Sequence, residues 1–222
     1  MAHTVLPVKI QRNLLNWRWV DAIHRWRARD VMRKSQIHRY LPKAGLMLDL
    51  GAGSGHIAEA IIKDASTRSC VMMDPVSSLS PHVARRIALF SSFAMKGDGT
   101  HLPFREATFD AVWSSFMLHH VPFDGQQAIL GEIMRVLRPQ ATFVLLEDTP
   151  RNAQEAENTL RADRRLNFEP DEAPHHYRSP DEWRSDLPQH GLMIDREIVF
   201  SRVFPPATLH AVQHRAFICH RR

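Results

Sequence analysis

The sequence predicts an α/β domain on a mostly parallel sheet that carries an antiparallel edge. Three observations point there. Short apolar runs alternate with helical stretches of 10 to 15 residues from position 46 to about 150; one of these runs opens into a glycine-rich turn; and the chain closes on two extended runs with no helix between them.

Taken in order, residues 10–41 read as a helix broken once. Leu15, Trp19, Ile23 and Trp26 recur at spacings of four and three, and Pro42 and Gly45 end the stretch. Strands are expected at 46–50, 69–73, 94–97 (weak), 109–115 and 142–147. Helices are expected at 55–64, 81–90 and 126–137, with Pro139 beyond the last of them. The final third reads as an exposed, charge-rich helix at 152–165, a polar loop at 167–180, a helix at 180–190 capped by Gly191, and two strands at 193–203 and 209–220. There is no internal repeat.

Composition bounds the function classes. The chain has 222 residues and 44% hydrophobic content, enough for one sizeable core. Cys70 and Cys219 both fall in apolar runs and read as core residues of a reducing compartment. Residues 1–13 lack an apolar stretch of signal length. The longest uncharged apolar-leaning run, 111–123, has 13 residues and two histidines, too short for a span. A soluble, cytoplasmic protein is the expectation. Charge is uneven: residues 1–44 carry a net +8, the remainder −3. The division expected is therefore a basic helical lid over 1–44 and a main domain over 45–222.

The sharpest local signal is Leu48-Asp49-Leu50-Gly51-Ala52-Gly53-Ser54-Gly55. A buried strand feeding glycines and then a helix lets backbone approach a ligand closely. The spacing is G-x-G-x-G; the dinucleotide pattern would need a small residue where His56 stands. Asp49 is also misplaced for a pyrophosphate but suits a ligand bearing an amino group and a sulfonium. Asp74, followed by Pro75, ends the second strand 23 positions after Gly51, where an acceptor can take both hydroxyls of a ribose; the bland alternative is a helix cap. Asp98, in Gly97-Asp98-Gly99-Thr100, follows the third strand and can accept from an adenine amino group, or is an ordinary turn aspartate.

Together with Leu102-Pro103-Phe104, Phe109-Asp110, Leu118-His119-His120 and Arg135-Val136-Leu137-Arg138-Pro139, these residues resemble the class I S-adenosylmethionine (SAM)-dependent methyltransferases, closest to the branch with the ubiquinone/menaquinone-biosynthesis enzymes. The likeness runs from about 47 to 148. It implies a Rossmann-like three-layer sandwich with a seven-stranded, mostly parallel sheet and an antiparallel terminal strand. It also implies SAM as cofactor, held by Asp49, Gly51, Ala52, Gly53 and Gly55 (methionine part), Asp74 and Pro75 (ribose), and Asp98 and Gly99 (adenine), with Ser114 or Phe116 bordering the methyl group. Residues 114–117, Ser-Ser-Phe-Met, depart from the pattern of enzymes that methylate nucleic-acid bases, so a small, hydrophobic or anionic metabolite is the favoured acceptor. An RNA methyltransferase and a non-catalytic SAM-binding regulator stay open.

His119 and His120 follow the fourth strand and are candidates for a general base; adjacent side chains diverge, so one at most should face substrate. The alternative is a pair of loop histidines that shape the pocket. His175, His176 and Tyr177 in the polar loop are weaker acceptor candidates. His210 and His214 have i,i+4 spacing but lie in an expected strand with no nearby acid or thiol, so no metal site is assigned. Trp17, Trp19 and Trp26 among arginines at 12–34 read as a lid that packs its tryptophans on the domain. Contact with a lipid-like acceptor or membrane surface is left open, and nucleic acid is disfavoured.

Overall fold

A computed structural model describes residues 14–65, 67–75, 79–167, 175–202 and 212–222. The starts of the N-terminal helix and of the last strand, most of the polar loop after 167, and His210 lie outside these. The elements in order are α1 (Leu14–Ser35), β1 (Ala44–Leu50), α2 (His56–Asp64), β2 (Thr67–Asp74), α3 (Pro81–Ile87), β3 (Phe93–Lys96), β4 (Phe109–Ser115), α4 (Phe123–Val136), β5 (Leu137–Asp148), α5 (Ala153–Asn167), α6 (Pro180–Gln189), β6 (Leu192–Arg202) and β7 (Val212–Arg221).

The strands form one seven-stranded sheet in the order β3-β2-β1-β4-β5-β7-β6. The first five run parallel, as βαβ crossovers demand. β7 is antiparallel to both neighbours, so it slots between β5 and β6 and leaves β6, not the antiparallel strand, at the edge. β5 begins at Leu137 with no loop after α4, five residues before the sequence suggests, because Leu137 already pairs with Phe109.

Alternation along the strands sorts the core into two layers. Leu48, Leu50, Val112 and Phe143 pack on one face with Ile129 and Ile133 of α4 and Trp183 of α6. On the other, Met47, Met72, Trp113 and Val144 meet Val31 of α1 and Ile61 and Ile62 of α2.

α1 crosses this second face, but not on its tryptophans. Its buried positions are Asp21, Ala28, Val31, Met32 and Ser35, whereas Trp19 is 73% and Trp26 46% exposed. The expectation that the lid packs these tryptophans is therefore corrected for Trp19 and Trp26: small and aliphatic residues at three- and four-residue spacing fit the sheet more closely. The expected break falls at Gln36, which adopts φ 51° before a 3-10 turn over Ile37–Arg39.

Arg68 joins that connection to the body. Fully buried in β2, it donates from Nε to Pro42 O (2.8 Å), from Nη1 to Ile61 O (2.8 Å), and from Nη2 to His38 O (3.0 Å) and Leu41 O (3.2 Å). α5, expected to be exposed, buries Thr159, Ala162 and Asp163. Among the described residues no helix is long and apolar enough to cross a membrane.

Candidate functional site

The glycine turn follows β1 at the C-terminal edge of the sheet. Gly51, Gly53 and Gly55 have φ of 78°, 50° and 76°, a region that side chains enter only at a cost. Two of them are also tightly packed. A Cβ on Gly51 would lie 2.3 Å from Met117 Cγ, and one on Gly55 2.5 Å from Leu79 Cδ1; on Gly53 it would meet nothing within 4 Å. The turn is tied to the end of β2: the amides of Gly51 and Ala52 donate to Met73 O (2.8 and 3.1 Å), and Gly53 N–H donates to Asp74 Oδ2 (2.9 Å).

Above this turn lies a cavity of about 310 Å³, within the range of small-ligand sites. Asp49, Gly51, Ala52, Gly53 and Asp74 form its floor, Ser115, Phe116, Met117 and His120 one wall, and His24, Arg27 and Ala28 of α1 its roof. His56, next to the turn, fixes the roof by pairing its Nε2 with Asp21 Oδ1 (2.9 Å).

Asp49 is the unusual group. It is 1% exposed, and its Oδ1 has no hydrogen-bond partner among the described residues. Burial, reinforced by the charge of Asp74, pushes its carboxyl well above the usual carboxylate range. Two acids at the mouth of a glycine turn form a poor site for phosphate. They match a ligand with an ammonium or sulfonium charge and a pair of hydroxyls.

Asp74 borders the cavity; Pro75 follows it on the surface. Asp98 is exposed after β3, outside the cavity lining, with Oδ1 accepting from Thr100 N and Oγ1 (both 2.9 Å). Gly97 N–H donates to Asp74 O (3.3 Å), which holds that loop beside the second acid, and Gly99 packs closely on Ile129. Ser114 is buried away from the cavity, and Phe116 lines it with a left-handed φ of 55°.

The histidine pair differs in exposure but does not diverge as expected: the two ring centroids lie 4.2 Å apart and both rings turn Nε2 toward Asp163. His120 lines the cavity with its side chain 30% exposed, whereas that of His119 is 2% exposed beneath the wall. His119 Nδ1 lies 2.6 Å from Glu147 Oε2, and its Nε2 lies 3.0 Å from Asp163 Oδ2. Burial disfavours a charge there, but the two flanking carboxylates outweigh it and raise the imidazole well above its usual range. His119 is not among the residues that line the cavity. His175 joins the cluster, 3.1 Å from Asp163 Oδ2. His214 pairs instead with Asp148. Sequence reading does not single out Glu147 and Asp163, which lie 28 and 44 positions from His119; their only signal is a carboxylate at a strand end and one on a helix whose charge pattern predicts exposure.

Residues 48–145 match the family model described as "Methyltransferase domain". The fold is shared with SAM-dependent methyltransferases, and the segment carrying the glycine turn and its acids is similar to the ubiquinone/menaquinone-type branch of that class. The chain is 30% identical over 126 residues to the ubiquinone/menaquinone biosynthesis C-methyltransferase UbiE of Desulfotalea psychrophila, covering 57% of this chain and 48% of that one. It is 38% identical over 109 residues to the demethylmenaquinone methyltransferase of Mycobacterium tuberculosis, covering 48% and 43%. The chain thus spans about half the length of these relatives. A SAM-dependent methyltransferase of Methanosarcina mazei shares the fold, with a TM-score of 0.65 at 22% identity over 83% of this chain and 96% of that one.

Proposed function

We propose that this protein transfers a methyl group from SAM to a small, hydrophobic or anionic metabolite. The buried Asp49 carboxylate beside Asp74, one of whose oxygens lacks a partner among the described residues, carries the reading, because it is a cost to the fold that a cationic nucleoside ligand relieves. When bound, SAM supplies an electrophilic methyl group on a good leaving group. Asp49 and the backbone at 51–55 would hold the amino acid part, Asp74 beside Pro75 the ribose, and Asp98 and Gly99 the adenine from the next loop.

Aligning donor and acceptor contributes most in such a displacement, up to several kcal/mol. Phe116, held in its left-handed conformation, forms the wall against which the acceptor is aligned. Where the acceptor must lose a proton, His120 is the base candidate that borders the cavity. The roof supports the choice of acceptor: Arg27 gives it positive character, and the exposed Trp19 and Trp26 on the same helix suit an acceptor delivered from a lipid phase. Quinone precursors such as those of the named relatives are the first acceptors to try.

Calorimetry with SAM and S-adenosylhomocysteine tests the cofactor, and methyl release over a panel of quinone precursors, isoprenoids and carboxylic acids tests the acceptor. Binding with a Kd of about 1–100 μM and turnover of at least one acceptor are expected. Absence of binding at millimolar ligand overturns the proposal; binding without turnover of any acceptor favours the regulator.

A further inference from the structure

We propose that His119, His175, Asp163 and His120 form a binding site for a single divalent transition-metal ion, zinc by preference, next to the cavity. The four donor atoms, one from each residue, lie within 4.8 Å of one another. Three imidazole Nε2 atoms converge on one carboxylate oxygen: Asp163 Oδ2 is 3.0 Å from that of His119, 3.1 Å from that of His175 and 3.9 Å from that of His120. An ion about 2.0–2.1 Å from each of four tetrahedral donors sets them about 3.3–3.4 Å apart. The three separations from Asp163 bracket that spacing, and with all four donors within 4.8 Å of one another small side-chain movements draw them onto an ion. Nitrogen and oxygen donors without a thiolate suit zinc, which binds such sites tightly and has no geometric preference of its own.

Two further observations distinguish a built site from a chance meeting of histidines. The first is support behind the ligands. His119 Nδ1 faces Glu147, which also accepts from the amides of Met117 (3.1 Å) and Leu118 (2.7 Å) through Oε1 and of Asp148 (3.2 Å) through Oε2. That is the carboxylate–histidine arrangement that orients a metal-binding ring.

The second is that the scaffold is held by contacts of its own. His176 N–H donates to His119 O (2.6 Å), and Gln126 Nε2 donates to the carbonyls of Leu118 and His176 (both 3.0 Å). These bonds join the segment carrying His175 to the one carrying His119 and His120 whether or not an ion is present. The side chains of His119, His175 and Asp163 are at most 3% exposed, while His120 opens onto the cavity and gives the ion its path. Ligation uses His120 Nε2, so a metal-loaded protein holds that ring as a ligand and not as a base.

Metal analysis and cobalt titration of the full chain, purified without a histidine tag, test the site. After stripping with chelator and dialysis, the expected result is uptake of one zinc per chain. Cobalt should produce the intense visible absorption of a four-coordinate centre, displaced by zinc. Asp163→Asn and His175→Gln should weaken uptake at least 100-fold, and Glu147→Gln about 10–100-fold as an outer-shell change. His220→Gln, on the distant surface, should bind as the parent does. Uptake of less than half an equivalent by the parent overturns the proposal, as does weak six-coordinate absorption or affinity unchanged in a folded His175→Gln protein. Should Asp163→Asn fail to fold, the parent stoichiometry and the His175 variant decide alone.

Discussion

Asp49→Asn should make the protein more stable and its cofactor site weaker. The carboxylate is almost fully buried, one oxygen lacks a partner, and Asp74 repels it. Removing the charge relieves an uncompensated burial of about 1–3 kcal/mol, which in a chain of this size raises Tm by about 2–10 °C. The gain depends on pH with a definite sign. Asp49 has a folded pKa above its unfolded value of 3.8, so its penalty is absent below that value and grows as pH rises through the folded pKa. The variant's advantage should accordingly vanish in acid.

Binding moves the other way. Loss of a buried carboxylate–ammonium pair costs about 2–5 kcal/mol, on the order of 30-fold to several thousand-fold in Kd. SAM at 100 times the parent Kd stabilises the parent by about 2.7 kcal/mol; the same concentration should give the variant less than about 1 kcal/mol. Thermal melts with and without SAM at several pH values read both effects. A variant less stable than the parent at neutral pH, or a Kd within about threefold, would refute the argument.

Further outcomes follow from the same geometry. Gly51→Ala should cost about 2–4 kcal/mol, from the left-handed φ and the overlap with Met117. Combining it with Met117→Ala should return part of the loss in urea unfolding, and strict additivity would show that the overlap is not the cause. Glu59, near Lys63 (2.5 Å) and Arg86 (3.0 Å), has a carboxyl lowered to about 2, because His56, Lys63 and Arg86 together outweigh its burial. Its contribution is therefore complete above the unfolded value of 4.5 and lost as pH falls toward 2. The stability gap between parent and Glu59→Gln should close over that window, and a gap of constant size would exclude the assignment. If His120 serves as a base, His120→Gln should lower kcat about 10²–10⁴-fold and abolish the acid limb of its pH profile; an unchanged profile removes His120 from that role.

Local patterns were legible where each residue's neighbours in sequence are its neighbours in space. The strand at 109–115 matches residue for residue, and the turn at 51–55 and Asp74 meet at one edge because consecutive parallel strands carry them there. What stayed hidden depends on distant partners. Trp19 and Trp26 have the period of a packed stripe, but Ala28 and Val31 fit the sheet more closely. Asp163 looks like one more charge on a polar helix until α5 docks and turns it toward His119, and nothing within β2 distinguishes Arg68 from a surface arginine.

Arg68 also bears on how the chain can be cut. Three of the carbonyls that receive its guanidinium, those of His38, Leu41 and Pro42, precede residue 44. A truncation there would remove most of the acceptors of a cation sealed inside the sheet, so the roof over the cavity cannot be excised as a module. Swapping it between related chains to retune acceptor choice requires a graft that carries the 36–43 connector along with the helix.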